Sequence, residues 1–97
     1  MPLAMIVTSN VQDRYRGFLT SVMLEIAPGT YVSPRMSAGV RTRVWSVMES
    51  WWEVLQTGSL VLVWADRQAP GGLRIETLGL PKKTIVDADG VLLVKRE

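Results

Sequence analysis

Apolar and polar positions follow two different periods along the 97-residue chain, and the changes of period mark its elements. Leu3 to Thr8 is a short apolar run with β-branched residues and reads as a buried strand. Ser9-Asn10 punctuates it. Asn10 is suited to cap a helix, and Asp13 puts an acid in the first turn. Tyr15, Phe18, Leu19, Val22, Met23 and Ile26 then share one helical stripe, which Pro28-Gly29 ends. Thr30 to Val32 reads as a short strand closed by Ser33-Pro34.

A second helical period starts behind Ser37, a good capping residue, with Val40, Val44, Val47, Met48, Trp51 and Leu55 as its core stripe. Trp45 and Trp52 lie at the edge of that stripe, and Thr57-Gly58 stops it. Ser59 to Ala65 is continuously apolar, as in the middle of a sheet. After the turn Ala69-Pro70-Gly71-Gly72, the run Leu73 to Leu78 alternates, which predicts a hairpin whose second strand packs on one face. Leu80-Pro81-Lys82-Lys83 reads as a basic turn and Asp87-Ala88-Asp89-Gly90 as an acidic one. Val91 to Val94 is a final apolar strand, fit to close its own sheet or to join a partner's.

The order β-α-β-α-β-β-β predicts a two-layer α+β sandwich of ferredoxin-like type, with residues 1–80 forming the domain and residues 81–97 a basic turn and C-terminal strand segment. That fold hosts many functions and identifies none.

Composition narrows the chemistry. Apolar residues make up 47% of the chain, enough for one core, but a domain of this size buries only about 60–65% of its unfolded surface. Burial against a second subunit would add to that, so a dimer is expected. With no cysteine and no histidine, disulfides, thiolate or imidazole metal sites and histidine acid–base schemes are excluded. No apolar run reaches the ~18–20 residues that span a bilayer, and Met1 to Ser9 lacks a basic leader region, so a cytoplasmic location is expected.

The net charge of +2 is ordinary, but Met1 to Trp45 holds five arginines (Arg14, Arg16, Arg35, Arg41, Arg43) against Asp13 and Glu25. Arg14 and Arg16 fall near the start of the first helix and Arg41 and Arg43 near the start of the second. A helix N-terminus already carries positive partial charge, so each arginine there costs roughly 0.3–1 kcal/mol unless an anion is near. A bound phosphate would reverse that sign. Arginine stems lying over apolar neighbours such as Tyr15 are the alternative. Lys82-Lys83 is either a further phosphate contact or a solvated loop. The four tryptophans have core spacing rather than that of a base-stacking platform. The carboxylates are scattered, with no cluster suited to magnesium and no glycine-rich phosphate loop, so no active site is evident.

Several strings occur in order: Thr8-Ser9-Asn10-Val11, Arg14-Tyr15-Arg16-Gly17, Leu24-Glu25-Ile26, Gly29-Thr30-Tyr31-Val32, Val63-Trp64-Ala65, Thr77-Leu78-Gly79-Leu80 and Val86-Asp87-Ala88-Asp89-Gly90-Val91. Together they resemble the subtype I-E branch of the CRISPR-associated Cas-two family, from Leu3 to Val94. The resemblance implies a homodimer of ferredoxin-like protomers, flanked by the CRISPR integrase and holding the duplex spacer precursor during spacer acquisition. It implies DNA-backbone contacts at Arg14, Arg16 and Lys82-Lys83, a retained basic position at Arg41, and integrase docking through Val91, Leu92, Leu93 and Val94. The lysine pair stands where arginines are familiar, keeping charge but losing bidentate geometry. Ser9 stands where that branch has a glutamate proposed to bind magnesium, and a hydroxyl is a poor sole anchor for that ion. The expected function is therefore a non-catalytic, sequence-independent DNA scaffold needing no cofactor. The alternatives are a magnesium-dependent endonuclease of the same family, or a dimeric regulatory domain binding a small anion.

Overall fold

The computed structural model describes residues 3–80 together with the backbone of strands Lys83–Ala88 and Val91–Arg96. The elements run β1 (Ala4–Ser9), α1 (Asp13–Val22), β2 (Leu24–Ala27), β3 (Thr30–Ser33), α2 (Ala38–Val54), β4 (Ser59–Ala65), β5 (Leu73–Leu78), β6 (Lys83–Ala88) and β7 (Val91–Arg96). The first five strands form one antiparallel sheet in the order β2-β3-β1-β4-β5, and β6 and β7 pair antiparallel as a two-stranded sheet. A β-α-β unit split by an intervening antiparallel strand occurs twice in that order, so this α+β architecture is compatible with the ferredoxin-like type.

Strand β1 is the centre of the molecule. Its alternation sends Ala4 and Ile6 into the core, opposite Trp64 and Leu62 of β4, with Tyr31 of β3 beside Ile6. Tyr15 and Leu19 of α1 and Val44, Trp45 and Met48 of α2 close over that face, completed by Met23, Met36 and Leu60. Ser37 caps α2 as its sequence promised: its Oγ accepts the Val40 N–H at 3.2 Å. Trp45, on the edge of the expected stripe, is buried, while Val40 and Leu55, expected in the stripe, are exposed.

Two strands depart from the sequence reading. The stripe expected to run to Ile26 is cut at Val22, because Met23 turns extended and donates its N–H back to Leu19. The next four residues pair with β3 instead: Leu24 faces Val32 and Glu25 faces Tyr31 across the Pro28-Gly29 turn. Pairing with a neighbour outweighs a helical period carried by only a few residues. Gly29 has φ +78°, and a Cβ there would come within 2.8 Å of the Thr8 carbonyl oxygen. The Gly29 carbonyl in turn accepts from the Thr8 N–H at 2.7 Å and the Thr8 hydroxyl at 3.0 Å. That clip fixes the hairpin to the end of β1.

The second departure is β6. Lys83 opens a strand rather than finishing a basic turn, and Asp87 and Ala88 belong to that strand rather than to an acidic turn. Lys82 and the Asp89-Gly90 positions lie outside the described residues. Val91 to Val94 is strand as expected, paired with β6.

The polarity of β5 decides what each side of the sheet presents. Its register puts Arg74 and Glu76 on the helix side, opposite Trp64 and Leu62, and Leu73 and Ile75 on the other side. The sheet face away from the helices thus carries Met5, Val7, Val32, Val61, Val63 and Ile75. Among the described residues no helix covers it, and Val7 stays 38% and Leu24 64% exposed.

Candidate nucleic-acid interface

Helix α1 begins where β1 ends. Asn10 adopts the left-handed conformation (φ 58°) that asparagine tolerates, and this bends the chain away from the sheet. Asn10 is therefore not the helix cap. Gln12 holds the cap position with extended backbone and no side-chain capping bond, which leaves the first turn with Asp13 as its acid. Arg14 and Arg16 follow on that turn, both exposed.

Each is held by a different kind of partner. The Arg14 guanidinium carbon lies 4.5 Å from the centroid of the Trp51 ring. Trp51 is itself fixed by edge-on contacts with Tyr15 (5.3 Å between centroids) and Phe18 (5.6 Å). Val54 and Leu55 border the same open cleft of about 520 Å³ as Arg14 and Gln12. The helices run in opposite senses, so the negative end of α2, which has no basic residue in its last turn, sits beside Arg14. A cation that would be unfavourable on α1 alone is thereby offset.

Arg16 is paired with Glu25 on β2: its Nε and an Nη approach Oε1 at 3.3 and 3.2 Å. The other carboxylate oxygen accepts the Gly29 N–H at 3.1 Å. The Gly29 N–H, and after it the Arg16 charge, hold the Glu25 carboxyl below its ordinary value. Burial pushes the Tyr31 phenol up, and the Glu25 charge adds to that. On the far edge, the Arg74 hydrogen bond (2.8 Å) and then the Gln68 N–H lower Asp66.

A carboxyl lowered in the folded state contributes stability that is fully present above its unfolded value and is lost as pH falls through the folded one. The ordinary values are 4.5 for Glu25 and 3.8 for Asp66. The melting temperature is therefore expected to be flat from pH 7 to about pH 5 and to fall on further acidification, less steeply for Glu25→Gln. Differential scanning fluorimetry across that range checks it, and a rise on acidification would count against both ion pairs.

The second arginine group lies elsewhere. Arg41 stacks on Trp64 at 4.2 Å, and Arg43 is exposed two residues on. Helix α2 starts just after Ser33, which pairs with Ala4, and Trp64 also faces Ala4. Helix α1 starts after Ser9, at the other end of β1. Five strand steps, about 17 Å, separate the two ends. Arg14 and Arg16 share a helical turn but point to different partners, Trp51 and Glu25, and Arg41 lies toward the other end of β1. Lys82 and the Lys83 side chain lie outside the described residues. The partners Trp51, Glu25 and Trp64 had no sequence signal, since the helical and strand periods assign faces, not neighbours.

Ser9 closes β1, exposed and opposite Ser59. Among the described residues no three acidic side chains converge as a metal-binding group. A serine hydroxyl beside Asn10 does not fit the oxygen-rich, carboxylate-based shell that magnesium takes. Among the described residues no helix is long and apolar enough to cross a membrane.

The family model described as "CRISPR-associated protein (Cas_Cas2CT1978)" matches residues 3–93. That match takes in the core, the helix-borne arginines, β6 and the first part of β7. The chain belongs to this Cas2-type family of CRISPR-associated proteins.

Proposed function

We propose that the protein is a non-catalytic, sequence-independent scaffold that holds duplex DNA in CRISPR spacer acquisition, as a cytoplasmic homodimer of the subtype I-E kind working with the CRISPR integrase. Arg14, Arg16, Arg41 and Arg43, with Lys82 and Lys83, bind phosphates. Residues 81–97 form the docking segment, with Val91, Leu92, Leu93 and Val94 against the integrase.

The observation that carries this reading is the placement of basic groups toward both ends of β1, a strand about 17 Å long. A single small anion cannot reach both, whereas a duplex carries phosphates along its whole length. This disfavours a small-anion regulator. The donor set around Ser9 disfavours the magnesium nuclease. The homodimer is supported by β5, whose apolar side faces away from the protomer's own helices and, among the described residues, is covered by no helix.

The test is binding of a short DNA duplex over a salt series with the integrase present. A scaffold working through phosphates gives an affinity that falls steeply and log-linearly with salt, and equally for unrelated sequences. Salt-insensitive or sequence-selective binding would refute it.

A further inference from the structure

We infer that Glu25 is a positioning residue that holds Arg16 in place and at the same time restrains that arginine's grip on phosphate. This rests on the duplex-holding function proposed above.

The two arginines of α1 lie on one helical turn but meet opposite chemistry. Arg14 rests on a neutral ring, and among the described residues no carboxylate pairs with its charge. Arg16 gives its Nε and one Nη to Glu25 Oε1, leaving the rest of the fork for a ligand. The arginine side chain is 65% exposed and the carboxylate 17%, so an incoming phosphate meets the guanidinium first, with the carboxylate behind it. Glu25 is not free to swing away. Its Oε2 is bound to the Gly29 N–H, and Gly29 is clipped to Thr8 at the end of β1.

A phosphate at Arg16 is therefore repelled by a fixed negative charge one guanidinium away. The same charge holds the side chain over the β2–β3 turn. Arg16 thus supplies direction with its charge compensated by a carboxylate, while Arg14 supplies a charge that faces only the weaker partial charge of the α2 end. A DNA-holding subunit that must also let its duplex go gains from such a graded contact.

Glu25→Gln retains an oxygen for the Gly29 N–H, removes the charge and turns its NH2 group toward Arg16, so that arginine is released to the ligand. Duplex binding by Glu25→Gln, Arg16→Ala and the double variant, over a salt series with wild type alongside, tests the inference. The expected result is about three- to tenfold tighter binding by Glu25→Gln at low salt, with a steeper salt dependence, and no such gain in the Arg16→Ala background. Unchanged or weaker binding by Glu25→Gln, or an equal gain without Arg16, overturns the inference. If Glu25→Gln does not fold, the Arg16 Nε–Hε resonance of the wild type serves instead. It must shift when duplex is added, and an unmoved resonance overturns the inference. Wild type that binds no duplex at all would instead overturn the DNA-holding function itself.

Discussion

Replacing Arg14 and Arg16 together by alanine is expected to weaken duplex binding by about ten- to a hundredfold near physiological salt and to flatten its salt dependence. Each phosphate neutralised contributes about 0.9 to the log–log slope, so losing two full contacts would remove about 1.8. Glu25 compensates part of the Arg16 charge, so the loss should fall between about 0.9 and 1.8, with Arg14→Ala alone accounting for most of it. The fold should tolerate the change. Arg14 loses an exposed contact with Trp51 worth about 0.5–1 kcal/mol, and Arg16 loses an exposed ion pair. Electrophoretic shift or fluorescence anisotropy at several salt concentrations reads both numbers. An unchanged slope would remove these arginines from the interface even if affinity fell.

The second large effect concerns the open sheet face. Val7 lies on β1 between Thr30 and Val61, apolar and 38% exposed, so a charge there is tolerable in a lone protomer. In a dimer closed over this face the same charge would be buried without a partner. By two-fold symmetry each dimer would bury it twice, at several kcal/mol per ion in the unrelieved case. Even about 2 kcal/mol for each copy weakens the dimer by about a thousandfold. Val7→Glu is therefore expected to be monomeric by analytical ultracentrifugation at concentrations where the wild type is dimeric. Its duplex affinity should drop as well, because half of the basic groups leave with the second protomer. A Val7→Glu protein that remains dimeric would place the dimer contact elsewhere.

The sequence announced those elements whose period is long and of one kind. Strand β1, α2 with its Ser37 cap, and the β4–β5 hairpin are where the pattern of Leu3–Thr8, Ser37–Leu55 and Ser59–Leu78 put them. Strand β2 was hidden because Ile26 continues the spacing of Tyr15 and Leu19, and only the hairpin partner across Pro28-Gly29 distinguishes strand from helix. Strand β6 was hidden because Lys83 and Asp87 at its ends carry the composition of turns. At the candidate site, the helix-borne positions of Arg14, Arg16 and Arg41 were legible. What holds them was not. Trp51, Glu25 and Trp64 come from other elements, and their approach depends on how helices and strands stack.

The stacking of Arg14 on Trp51 also gives the protein an optical readout. Trp51 is half-buried and its ring face is occupied by a guanidinium, whereas Trp45 is buried in the core. A cation on an indole face alters its emission, so drawing Arg14 toward a phosphate changes the light that Trp51 gives out. Titration with unlabelled duplex should therefore alter the intrinsic fluorescence of the wild type, and Trp51→Phe should remove the part owed to Arg14 while leaving the part owed to Arg41 on Trp64.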